Sequence, residues 1–182
     1  VLLAEITGND KAEMGKRLAA LKKSISEKFK IKSRITKSDS ETEKYWIIRR
    51  ESFNLLRGHV KDRQTAPFID DLIVKPEYLG EFLPRLNEII SNYGSKMIST
   101  LAGHAGDGNF HVIPLMDLTD PASVAIIPEV SEKIYDLVLS FHGSITAEHN
   151  DGLIRSPYLK KMYGEKMIKL FEDVKNIFDP LN

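Results

Sequence analysis

Apolar and polar positions along the chain alternate between two periods, and the places where the period changes mark the elements. Val1 to Ile6 is an apolar start that predicts a strand, closed by Gly8-Asn9-Asp10, where Asn9 or Asp10 can cap a helix. Met14, Leu18, Leu21, Ile25 and Phe29 then recur at helical spacing. Ile31 to Thr36 alternates, as a half-buried strand does, and Ser38-Asp39-Ser40 opens a second helix running to Leu56. Residues 58–67 are polar and punctuated by Gly58 and Pro67, the mark of a loop. Phe68 to Val74 predicts a third strand, and Leu79 to Tyr93 a helix with a clear apolar face, stopped by Gly94. Lys96–Leu101 and Asn109–Leu115 are strands joined by a glycine-rich turn, which predicts an antiparallel hairpin. A loop over 117–125, a helix over 126–142, a short strand over 144–147 and a helix over about 155–177 complete the pattern. Adjacent strands without crossovers predict an α+β fold, ferredoxin-like, with a mainly antiparallel sheet, helices packed on one face and a C-terminal helical segment.

Composition narrows the function classes. Lysine plus arginine equals aspartate plus glutamate at 26 each, so the basic field a nucleic-acid binder uses is missing. No apolar run reaches bilayer-spanning length. With no cysteine in the chain, disulfides, thiol catalysis and cysteine-ligated metal are excluded, and a metal site must be built from histidine and carboxylate. Both ends read as cut, since the chain opens inside a strand pattern and stops at Phe178-Asp179-Pro180-Leu181-Asn182 without a polar tail.

The chemistry concentrates in two stretches. In Gly103-His104-Ala105-Gly106-Asp107-Gly108-Asn109-Phe110-His111 the glycines permit a tight turn, and a histidine stands on each side of it. If the flanking strands pair, both imidazoles converge near the turn, as a metal or an oxyanion requires. Downstream, Glu148-His149-Asn150-Asp151-Gly152 puts an acid beside a histidine. On an extended strand these two would point to opposite faces, so a shared task needs the strand to break there. Glu148 would then complete a two-histidine, one-carboxylate set with His104 and His111, leaving His149 to accept a proton. Spacing alone also allows a plain Gly-Asp-Gly-Asn turn with hydrogen-bonded structural histidines. His59 and His142 read as structural or solvated, and His142 can favour a helix C-terminus electrostatically.

The stretch "GHAGDGNFH", then "AEHNDGLIR", then "FDPLN" resembles the C-terminal domain of FAD-linked oxidases. These belong to the vanillyl-alcohol oxidase-like superfamily, in the branch of glycolate oxidase, D-lactate dehydrogenase and D-2-hydroxyglutarate dehydrogenase. Trp46-Ile47-Ile48-Arg49 is similar to an upstream tryptophan–arginine element of the same domains, and the resemblance covers nearly the whole chain. It implies an FAD-dependent 2-hydroxy-acid dehydrogenase that passes hydride from the substrate α-carbon to flavin. By the same resemblance His104, His111 and Glu148 are ligands of a divalent metal, zinc or manganese. His149 is the catalytic base. Asn109, His149 and Asn150 line the flavin, and Asn109 and Arg49 hold the substrate, with Arg50 as a competing choice for the arginine. An arginine fork suits a carboxylate because it pairs with both oxygens.

Partners implied are a small 2-hydroxy acid, the protein's own N-terminal FAD-binding domain and an electron acceptor. No nucleic acid is implied, and a homodimer is open. Residues 1–142 would be an α+β substrate (cap) domain and 143–182 a segment returning toward the FAD-binding domain. The chain alone is expected to be inactive. The implied location is cytoplasmic, with membrane contact only through the electron acceptor. Two departures stand out. Asn150-Asp151-Gly152 replaces a glycine-rich run, and Asp70-Asp71 occupies the region where hydroxyglutarate-type members carry a lysine, which counts against a second substrate carboxylate. Flavin chemistry that uses the histidines without metal stays open by the same resemblance, and two further rival readings remain. One is a metallohydrolase using the same His/His/Glu set with bound water. The other is a ferredoxin-like binding module with no metal, which would tolerate His104→Ala and His111→Ala.

Overall fold

The computed structural model describes all residues except 1, 61, 150, 151 and 182, together with all side chains of those residues but 53, 55, 56, 57 and 59. The chain forms two compact units, Val1–Gly58 and His59–Asn182.

The first unit is two helices, α1 (Lys11–Lys28) and the bulk of α2 (Asp39–His59). Asp10 caps α1, its carboxylate accepting from the Ala12 and Glu13 amides at 2.8 and 3.3 Å. None of this unit's described side chains is buried. Residues 2–6 and 31–36, expected as strands, are not strands: neither segment has a partner for its backbone among the described residues, and neither an apolar nor an alternating run by itself supplies a ladder.

In the second unit β3 (Met97–His104) and β4 (Asn109–Met116) form the predicted hairpin, paired along their full length from Met97↔Met116 to His104↔Asn109. The far edge of β4 is shared by two short strands, β1 (Gln64–Thr65) at one end and β2 (Leu72–Ile73) at the other, all antiparallel. The strand expected over 68–74 is therefore only two residues long. Asp71 sits at φ 63°, and a left-handed residue cannot continue a ladder. The loop expected over 58–67 is shortened from both sides by α2 and β1.

Helices α3 (Leu79–Ser91) and α5 (Ile127–Ser140) cover one face of this sheet. Phe82, Leu86, Val130, Ile134 and Val138 meet Met97, Val112 and Met116 there, and Tyr135 donates from its hydroxyl to the Phe68 carbonyl. Between them the expected loop holds a short helix, α4 (Pro121–Val124), because Asp120 accepts from the Ala122 and Ser123 amides. Helix α5 ends through His142, which adopts φ 54° and donates its amide to Leu139. The strand expected over 144–147 is reduced to a single bridge between Ser144 and Ile73. The remainder is α6 (Gly152–Arg155), one 3-10 turn (Ser156–Tyr158) and α7 (Leu159–Phe178), broken at Gly164 by φ 75°. The α+β class, the mainly antiparallel sheet and the helical C-terminal segment are as the pattern predicts.

Candidate active site on the hairpin

Period two in the strands separates core from chemistry. Val112 and Met116 pack into the core under the helices, so Asn109 and His111 point the other way, and His104 faces Asn109 across the ladder. The turn between them closes because Gly108 adopts φ 75° with its α-carbon packed against Val74; a Cβ there would lie 1.8 Å from the Val74 carbonyl oxygen. Both histidines consequently stand at one end of the hairpin, on the face opposite α3 and α5.

Glu148 joins them. Its Oε1 lies 2.8 Å from His104 Nδ1 and its Oε2 lies 3.3 Å from His111 Nε2. The His149 ring centroid is 5.3 Å from that of His111, and the two hairpin histidine rings are 6.3 Å apart, edge to face. Residues 145–149 form neither helix nor strand, which is the break that lets Glu148 and His149 serve one place. The His111 side chain is 16% exposed and the Glu148 side chain 42%, so the group is open on one side.

The set suits a borderline divalent ion. The Glu148 oxygens stand 2.8 and 3.3 Å from one nitrogen of each hairpin imidazole, and imidazole and carboxylate are the donor types such an ion takes. Asp70 Oδ1 lies 3.0 Å from His111 Nδ1, the outer carboxylate that commonly orients a metal-binding imidazole. Donor atoms of Asp71, His111, Glu148 and His149 also fall within 4.8 Å of one another. Asp71 is set apart from the others because it is fully buried and both its oxygens are engaged.

Asp71 and Arg155 are the residues that the sequence reading did not place. Asp71 Oδ2 accepts from the amides of Ala147, Glu148 and His149 at 2.8, 3.0 and 2.9 Å. Its Oδ1 accepts from Asn109 Nδ2 at 3.0 Å. Burial raises the Asp71 carboxyl, but the three amides and Asn109 outweigh it and hold the pKa at about 2. Arg155 Nη1 donates to the Asp70 and Ile145 carbonyls at 2.7 and 3.3 Å and stands 3.8 Å from Asp71. The available signals were an Asp-Asp pair inside an apolar run and an arginine closing the "AEHNDGLIR" stretch.

The other expected residues fare differently. Asn109 is buried, with Nδ2 turned inward to Asp71 and to the Leu72 carbonyl, and its Oδ1 is buried without a hydrogen-bond partner among the described residues. Arg49 lies exposed on α2 in the first unit, and Arg50 beside it pairs with Glu43. Asn150 lies outside the described residues.

An antiparallel hairpin that presents two imidazoles, beside a segment that brings a carboxylate and a third imidazole to them, forms a histidine-rich cluster open on one side. Comparison of the sequence with known proteins gives the lineage. Residues 1–182 match the family described as FAD linked oxidases, C-terminal domain, and the chain belongs to that family. It is 24% identical to D-2-hydroxyglutarate dehydrogenase of Haemophilus influenzae, over 99% of this chain and 18% of that protein. It is 25% identical to the enzyme of the same name from Escherichia coli, with the same coverage. To D-lactate dehydrogenase of Archaeoglobus fulgidus it is 33% identical over 62% of this chain and 24% of that protein. The chain thus spans about a fifth of the length of the first of these relatives. Among the described residues no helix is long and apolar enough to cross a membrane.

Proposed function

We propose that this chain is the substrate-side part of an FAD-dependent 2-hydroxy-acid dehydrogenase, acting on a CH–OH group. The observation that supports this most is the convergence of His104, His111 and Glu148 at 2.8 and 3.3 Å with the His149 ring alongside. His104, His111 and Glu148 would hold a zinc or manganese ion, whose charge favours ionisation of the substrate hydroxyl. Flavin, bound for the most part by an N-terminal FAD-binding domain, supplies the hydride acceptor.

The remaining work falls to this chain's own side chains. A ring nitrogen of His149 accepts the hydroxyl proton as hydride leaves the α-carbon, and a 2-oxo acid results. Asp70, at His111 Nδ1, keeps Nε2 of that ring directed to the site. For the substrate carboxylate the family resemblance offers Arg49, and Asn109, whose buried Oδ1 has no hydrogen-bond partner among the described residues, would face substrate and flavin together with His149. Asp70 and Asp71 are committed to His111 and to backbone amides, and they bring negative charge rather than a lysine to this region. That counts against a second carboxylate on the substrate. Residues 143–182 lead back to the FAD-binding domain, an arrangement supported by the exposed apolar residues of α7.

The test uses the full-length flavoprotein that carries this chain. Near-stoichiometric zinc or manganese in the wild type, lost in His104→Ala/His111→Ala, is expected after metal loading and desalting. D-lactate or glycolate should be oxidised with higher kcat/KM than D-2-hydroxyglutarate when an artificial electron acceptor is supplied. Equal metal in wild type and variant, or hydrolysis without flavin, would refute the reading.

A further inference from the structure

The catalytic pair Glu148-His149 lies on backbone that no helix or ladder holds, yet the two side chains must be aimed to within a fraction of an ångström. We propose that Asp71 is the positioning residue that aims them, acting through the backbone and not as a ligand; this rests on the function proposed above. One buried carboxylate gathers three successive amides, those of Ala147, Glu148 and His149, across a separation of more than seventy residues in sequence. Three consecutive N–H groups turned to a single anion form a concave backbone nest, and its curvature fixes the direction in which each intervening side chain leaves.

The anchor is itself immobile. Asp71 is 0% exposed, its second oxygen takes Asn109 Nδ2, and Arg155 lies 3.8 Å away. Asn109 is the ladder partner of His104, so the same carboxylate ties the hairpin end that carries His104 to the segment that carries Glu148 and His149. On both sides of the nest the two segments stay in register. Ile73 and Ser144 exchange backbone hydrogen bonds at 2.9 and 3.0 Å, and Arg155 spans the carbonyls of Asp70 and Ile145. The donor atoms of Asp71, His111, Glu148 and His149 cluster within 4.8 Å, which taken alone would make Asp71 a fourth ligand. With both oxygens already accepting from nitrogen donors, Asp71 has no role left but to hold the frame.

Asp71→Asn is the informative substitution. Asparagine tolerates the φ of 63° and keeps the size, but it is neutral and offers one acceptor oxygen where the carboxylate uses two. In the full-length flavoprotein, hydrogen exchange of the amides of 147–149 is expected to speed up at least tenfold, while the core helix over 130–138 keeps its wild-type rate. Per folded molecule, kcat for the 2-hydroxy acid should drop about 100-fold, the scale of loss that a misplacement near 1 Å produces. In a His149→Gln background the same substitution should cost at most about a tenth of that factor, since one of the groups it aims is gone. Unchanged exchange at 147–149, or equal acceleration throughout the chain with kcat per folded molecule unaltered, would overturn the proposal. If the wild type oxidises no 2-hydroxy acid, the function proposed above fails, and the exchange pattern still decides whether Asp71 holds the segment.

Discussion

Asp70 and Asp71 are neighbours with opposite surroundings, and the left-handed turn at Asp71 is what separates them. Asp70 remains a quarter exposed and reaches His111, whereas Asp71 is wholly enclosed and reaches the backbone of the second stretch. Enclosure without partners would push a carboxyl upward; here the amides of 147–149 and Asn109 pull it further down, from 3.8 to about 2. The folded value lies below the unfolded one, so the ionised form stabilises the fold at every pH above the unfolded value. That stabilisation, on the order of 2 kcal/mol, is lost as pH falls through about 4 toward 2. Urea unfolding followed across this interval should show the wild type losing stability more steeply than Asp71→Asn. Parallel curves would mean that the carboxylate is not held in its ionised form.

At the scale of elements, the hairpin was the most legible part of the chain and the strands beside it the least. Glycines at 103, 106 and 108 between two apolar runs imply a turn whatever surrounds it, and the flanking histidines are carried along by the pairing. The expected strand over Phe68–Val74 and the strand over 144–147 read as apolar runs, but Asp71 breaks the first and its capture of three amides bends the second away. That contact links residues distant in sequence, and no local pattern announces it. Strands over 2–6 and 31–36 failed for a related reason, since neither an apolar run nor an alternating one says anything of a neighbour to pair with. The hairpin turn itself offers a sharp prediction. Gly108→Ala places a Cβ 1.8 Å from the Val74 carbonyl oxygen at φ 75°, and should destabilise the fold by at least about 2 kcal/mol. Gly106→Ala meets nothing within 4 Å and should stay within about 0.5 kcal/mol of wild type. Thermal unfolding of the two variants side by side distinguishes a turn held by close backbone approach from one that merely contains glycine.

Considered whole, the His59–Asn182 unit closes its core and then leaves a second apolar surface open. Tyr158 and Met162 pack against the core, Tyr158 with its ring 4.8 Å from that of Tyr135, and Lys161 pairs with Glu132 and Asp136 at 2.9 and 2.7 Å. After the break at Gly164, Met167, Leu170, Phe171, Val174, Ile177 and Phe178 recur at helical spacing and are all exposed, Phe178 by 83%. A stripe of that length resembles the half of an interface rather than scattered surface residues. When the 182-residue chain is expressed by itself, the stripe has only other copies to meet, and sedimentation velocity should show association that grows with concentration. Leu170→Glu combined with Ile177→Lys introduces charges on that face without touching the core, and should restore a monomer while leaving the unfolding midpoint within a few degrees. A wild-type chain that stays monomeric at every concentration would show that α7 turns its apolar residues elsewhere, and would remove the support they lend to contact with the FAD-binding domain.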